Sequence, residues 1–156
     1  MEKEDLEQLM SVCNQDMMVL TDKMECLELV SLIIALKPPV KRYNSVIWTK
    51  GMVCDRKFYL DYIKGTFEDN ISMLLVRLMT LANKLRMNLV PLCLGREKED
   101  RQAEDLVMSL LRIALSHYKI RKKVIVMIGI LVDYCNANSI NVCWFARLGV
   151  LNELKK

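Results

Sequence analysis

Three segments of this chain are apolar around most of a helical circumference: "MECLELVSLIIAL" (24–36), "ISMLLVRLMTLANKL" (71–85) and "RKKVIVMIGILVDYC" (121–135). A helix of that kind cannot lie on a surface, because both of its sides need cover from other elements. The three segments begin near residues 24, 71 and 121, an interval of about 48 residues, close to the period of helical solenoid repeats. A shorter and a longer helical stretch separate each pair. The pattern therefore predicts a three-helix unit with a short first helix, an amphipathic second and a buried third, repeated about three times. Leu78, Met79, Val126 and Ile130 are the side chains expected between stacked units.

The punctuation supports helices throughout. Leu6, Leu9, Met10, Cys13, Met17 and Leu20 form one stripe, with Glu and Gln opposite, so residues 4–20 read as an amphipathic cap at the N-terminal end. Thr21 and Asp22 are placed to cap the next helix, which Pro38 and Pro39 stop. Asp55 can cap "DRKFYLDYIKG", and Gly65 suits its C-terminal stop. The long helix after it opens near Asp69. Pro91 and Gly95 break the chain again, and the charged run "REKEDRQAED" leads into "LVMSLLRIALSHY". That helix and the next are expected to be antiparallel neighbours across a very tight turn. Ser139 in "NANS" is the expected cap for "INVCWFARLG".

Composition agrees and removes several classes. With 156 residues, 53% apolar and 27% charged, the chain suffices for one domain over 1–156 that buries roughly 70% of its unfolded surface. Only three prolines and five glycines interrupt it, so the fold class is all-α. The six cysteines are far apart with no C-x-x-C, each in or beside an apolar run, which predicts buried free thiols and a reducing compartment, cytoplasmic or nuclear. The opening "MEKEDLEQL" is no signal peptide. The longest apolar run, Val124 to Val132, is about half of what crosses a bilayer, so no membrane partner is expected. A net charge of +4 with interspersed signs gives little support for nucleic acid. A single globular bundle of the viral apoptosis-regulator kind also suits the length, but its helix-start motifs are missing and the period speaks against it.

Residues 119–156 resemble an armadillo repeat: a buried third helix, then 138–147 as a short first helix, Gly149 at a sharp turn, and "VLNELKK" opening a second helix. "NVCWFARLGVLNEL" looks like the habitual joint of that family. Over 21–118 the likeness rests on helix order and period, which HEAT repeats share. The resemblance implies a right-handed armadillo/HEAT-like superhelix whose third helices line a concave groove. In that family an Asn late in the third helix bonds an extended peptide. By resemblance Asn83 and Asp133 hold those positions, with Arg77 and Lys84 on the same helix as Asn83. Neither Trp48 nor Trp144 stands a turn before such an Asn, so nuclear-import signals are not the expected ligand. The chain stops inside a helix, so it is expected to be part of a longer array, to be covered by a partner at that end, or to associate end to end.

Catalytic chemistry is not legible. His117 ends a helix, where the dipole favours its charge, and no nucleophile or carboxylate is arrayed beside it. No zinc spacing, phosphate loop, dinucleotide fingerprint or nucleophile elbow occurs, so no catalytic residue, metal or cofactor is assigned. Two basic clusters remain. Lys37, Lys41, Arg42, Lys50, Arg56 and Lys57 occupy one region, interleaved with Tyr43, Trp48, Phe58 and Tyr59. Lys119, Arg121, Lys122 and Lys123 open a helix, a costly place for cations unless nearby Asp and Glu, or a bound anion, offset them. The expected function is a protein-interaction scaffold that takes a peptide or helix in the groove or at the C-terminal end. The alternative is a nucleic-acid-binding module using the basic clusters.

Overall fold

The computed structural model describes residues 22–37, 41–43, 56–87, 103–150 and 152. They form α1 (Asp22–Ile34), α2 (Arg56–Phe58, running on into a π-helical turn over Tyr59–Ile63), α3 (Phe67–Lys84), α4 (Ala103–Ala114), α5 (Ile120–Ala137) and α6 (Val142–Gly149), with no strand among them. The all-α expectation is met. The N-terminal stripe 4–20, the caps Thr21 and Asp55, the breaks at Pro38, Pro39, Pro91 and Gly95, and the segment after Asn152 lie outside the described residues.

α3 is the centre. It starts earlier than the sequence suggests because Thr66, in an extended conformation, caps it: the Thr66 hydroxyl accepts from the Asp69 N–H at 3.2 Å. Gly65, at φ +80°, ends the preceding turn as expected of a glycine there. From Phe67 to Ala82 every residue of α3 is buried except Asn70 and Met73. α1, α5 and α6 all pack on it, and α4 lies across α1 and α5. Leu29 and Ile33 of α1 with Leu36 just after it, Leu106 and Leu110 of α4 and Val124, Met127 and Leu131 of α5 join α3 in one core.

The hydroxyls buried in this helix bond to its own backbone. The Ser72 and Thr80 hydroxyls donate to the Asp69 and Val76 carbonyls at 2.7 and 2.8 Å. Arg77 is buried and pairs with Glu28 of α1 at 3.0 Å, tying the two helices by charge as well as by packing.

The C-terminal region departs from the expected joint. Two residues past the end of α5 Ser139 has φ +56°, and Asn141 caps α6, its side chain accepting from the Trp144 N–H at 3.2 Å. Ser139 is thus not the cap. Gly149 is not a turn either: it is the last residue of α6, and Val150 continues with helical angles, φ −61° and ψ −44°. Its lack of a side chain serves contact with α3, since a Cβ there would meet Met73 Sδ at 2.5 Å. α5 and α6 are bent by 117° to one another, which turns α6 onto α3.

In a linear stack each unit touches only its neighbours. Here α1 meets α4 and α3 meets α6, contacts that pass over a whole unit. Leu78 and Met79 are fully buried, while Val126 and Ile130 are only half-buried. α4 and α5 do pack side by side across a short turn, where the Ser116 hydroxyl donates to the Ile113 carbonyl at 2.6 Å and accepts from the Tyr118 N–H at 3.3 Å.

Candidate interaction surface

The residues singled out for a peptide groove do not share an open face. Arg77 is buried beneath α1, its guanidinium held by Glu28. Asn83 and Lys84 occupy the last turn of α3, half-buried and exposed, and Asp133 is half-buried in α5. α3 is covered along most of its length, so it offers a partner only its C-terminal end.

The first basic cluster is partly structural. Arg42 Nε donates to Glu68 Oε1 at 2.7 Å, and its guanidinium lies 4.8 Å from the centre of the Phe67 ring. The Tyr43 N–H donates to the other oxygen of Glu68 at 2.9 Å. Tyr43 packs edge-on against Phe145 of α6, ring centres 5.3 Å apart, and Phe58 and Tyr59 are buried. The interleaved aromatics that are described therefore serve packing, and Trp48 and Lys50 lie outside the described residues. Lys37, Lys41, Arg56 and Lys57 are exposed.

The second cluster is a surface. Lys119, Arg121 and Lys122 are exposed around the N-terminus of α5, whose first turn holds no acidic residue. Lys122 Nζ sits 4.0 Å from the centre of the Tyr118 ring. Lys123 donates to the Ala114 carbonyl at 2.9 Å. The negative end of α4 thus offsets part of the repulsion at the positive end of α5, a role the sequence had assigned to carboxylates or a bound anion.

The apolar surface was not legible. α1 was expected to be covered all round, yet Leu27 and Ile34 are 62% and 53% exposed, two turns apart on the side away from the core. Met108 of α4 and Leu115, directly after its last residue, repeat that spacing at 61% and 68%. In α4 the signal existed: its buried Leu106, Val107, Leu110 and Ala114 make one stripe, and Met108 and Leu115 fall outside it. In α1 the apolar residues on both sides concealed which face is buried.

Reactive groups are quiet. Cys135 and Cys143, whose side chains are described, are buried, and burial pushes the Cys135 thiol up to about 12. Burial also raises Tyr134, against the opposing charge of Arg42. His117 is exposed beyond the end of α4. Among the described residues no cluster of His, Cys, Asp or Glu could hold a metal ion, and no single helix is long and apolar enough to cross a membrane. Compared with family models, curated proteins and solved structures, the chain matches none.

Proposed function

We propose that this chain is a non-catalytic protein-interaction module, and that it docks a partner on the outward faces of α1 and α4. The observation that carries the reading is the pair of apolar rows, Leu27 with Ile34 and Met108 with Leu115, left open on two helices that pack against each other. Large apolar side chains exposed in rows mark interaction surfaces more often than scattered ones do. A helix laid with anchors at seven-residue spacing would match either row. The contacts of α1 with α4 and of α3 with α6 favour a closed helical bundle over an open armadillo-like superhelix as the scaffold. The groove of third helices is then replaced by the outer faces as the place to look.

The test is capture from a eukaryotic cell extract with the intact chain and with a Leu27→Glu/Ile34→Glu variant, each with and without nuclease. A protein retained after nuclease by the intact chain and lost by the folded variant supports the reading. Capture that disappears with nuclease would move the function to the basic clusters, the nucleic-acid alternative, for which the exposed Lys119, Arg121 and Lys122 speak.

A further inference from the structure

The α4–α5 turn combines a run of cations and Tyr118, which the protein-docking reading does not use, with Leu115, which that reading places in the second apolar row. No Asp or Glu occurs between Asp105 and Asp133, while Arg112, Lys119, Arg121, Lys122 and Lys123 all fall in that interval. Four of these five cations are exposed: Arg112 in the last turn of α4, and Lys119, Arg121 and Lys122 just past the turn. Between them Leu115, at 68%, and Tyr118, at 44%, stand out of the protein surface. Exposed apolar and aromatic side chains and exposed cations thus share one short stretch of chain between two packed helices.

We propose that this turn binds the surface of an anionic lipid membrane, with Leu115 and Tyr118 entering the interface and Arg112, Lys119, Arg121 and Lys122 meeting the headgroups. Each part has a physical role. Cations close to a negatively charged leaflet each contribute to attachment, Tyr settles at the polar–apolar boundary, and a leucine side chain gains from leaving water for the acyl boundary. The Lys and Arg stems can extend along the same boundary while their charges stay in the headgroup layer. This inference departs from the sequence expectation of no membrane partner, which concerned spanning; a surface attachment needs no long apolar helix.

Nucleic acid fits less well. A nucleic-acid backbone rewards the cations but gives an exposed leucine nothing to do, and the Tyr118 ring, which would stack on a base, is faced by Lys122. The proposal stands independently of the α1 face: loss of protein capture in the Leu27→Glu/Ile34→Glu variant neither supports nor weakens it.

Co-sedimentation of the full chain with vesicles tests it, comparing phosphatidylcholine alone with phosphatidylcholine containing about a third phosphatidylserine, a strongly anionic surface. Binding is expected only to the anionic vesicles and should weaken as salt is raised. Arg121→Gln and Lys122→Gln should each reduce it about fivefold, and Leu115→Asn about tenfold or more. All three positions are exposed, so thermal melting should stay near the parent value, and Lys57→Gln, an exposed cation remote in sequence, serves as control. No binding to anionic vesicles, equal binding to neutral ones, or a loss with Lys57→Gln as large as with Lys122→Gln would each overturn the proposal. So would tighter, vesicle-independent binding of an oligonucleotide or an acidic peptide at the same turn.

Discussion

Asp69 shows how much one buried residue organises here. Its carboxylate accepts from the Tyr59 hydroxyl at 2.9 Å and from the Gly65 N–H at 3.1 Å, so it fastens the π-helical turn to the start of α3. Tyr59→Phe keeps the ring and removes one donor from a buried acceptor, which should cost about 1–3 kcal/mol. Urea unfolding should show a lower midpoint with an unchanged slope; an unchanged midpoint would mean water replaces the hydroxyl. Cys135 supplies a second prediction. Its thiol has an ordinary value of 9.0 and is pushed to about 12 by burial, so above pH 9 the unfolded chain releases a proton that the folded chain keeps. Ionisation then favours unfolding, and this residue's share of the stability falls by up to about 1.4 kcal/mol per pH unit between pH 9 and 12. Cys135→Ala should flatten the alkaline decline in stability relative to the parent; parallel pH profiles for the two proteins would refute the assignment. Of these residue-level facts, only the burial of the cysteine was legible in sequence. The Thr66-x-x-Asp69 spacing was a readable helix start that an apolar-periodicity reading passes over, whereas the Tyr59–Asp69 bond depends on a turn geometry that no local pattern encodes.

Helices were legible as helices because the 3.6-residue period is a local property. Their covering was legible only where the pattern was one-sided or complete. The buried stripe of α4 and the all-round burial of α3 follow from the sequence, but α1, apolar on both sides, leaves Leu27 and Ile34 in solvent. Gly149 was misjudged for a related reason: a glycine near a helix end suits both a turn and a close helix crossing, and sequence cannot choose between them. The crossing is testable. Gly149→Leu must displace Met73, whose sulfur lies 2.5 Å from where the new Cβ would go, with Asp69 Oδ1 and the Tyr59 hydroxyl 3.7 Å away. Destabilisation of about 1–3 kcal/mol is expected from overpacking. Because the clash is with one flexible side chain, Met73→Ala in the same protein should recover part of the loss, giving a double mutant more stable than the two single effects summed. Strict additivity would show that α6 moves away from α3 as a body instead.

At the scale of the molecule, a 48-residue recurrence of apolar helices is compatible with two arrangements, because periodicity identifies which helices need cover and leaves open which ones provide it. A linear stack supplies that cover from adjacent units; in this structure α3 receives it from α1, α5 and α6 together, and α4 closes the side between α1 and α5. The difference has a thermodynamic consequence. Where units touch only neighbours, damage at one position can separate the unfolding of one end from that of the rest, whereas a shared central helix couples every element that rests on it. Leu78, fully buried in α3, is the place to apply the damage. Leu78→Ala should cost about 2–5 kcal/mol through lost burial and a residual cavity. The decisive observation is the shape of the transition. In a Trp48→Phe background Trp144 is the sole tryptophan, so its fluorescence reports α6 while far-UV circular dichroism reports all the helices. A closed bundle predicts that both signals shift to lower denaturant together and stay superimposable in the Leu78→Ala protein. If the fluorescence of Trp144 held near its original midpoint while the dichroism moved, α6 would be folding on a neighbour other than α3, and the coupling through the central helix would be wrong.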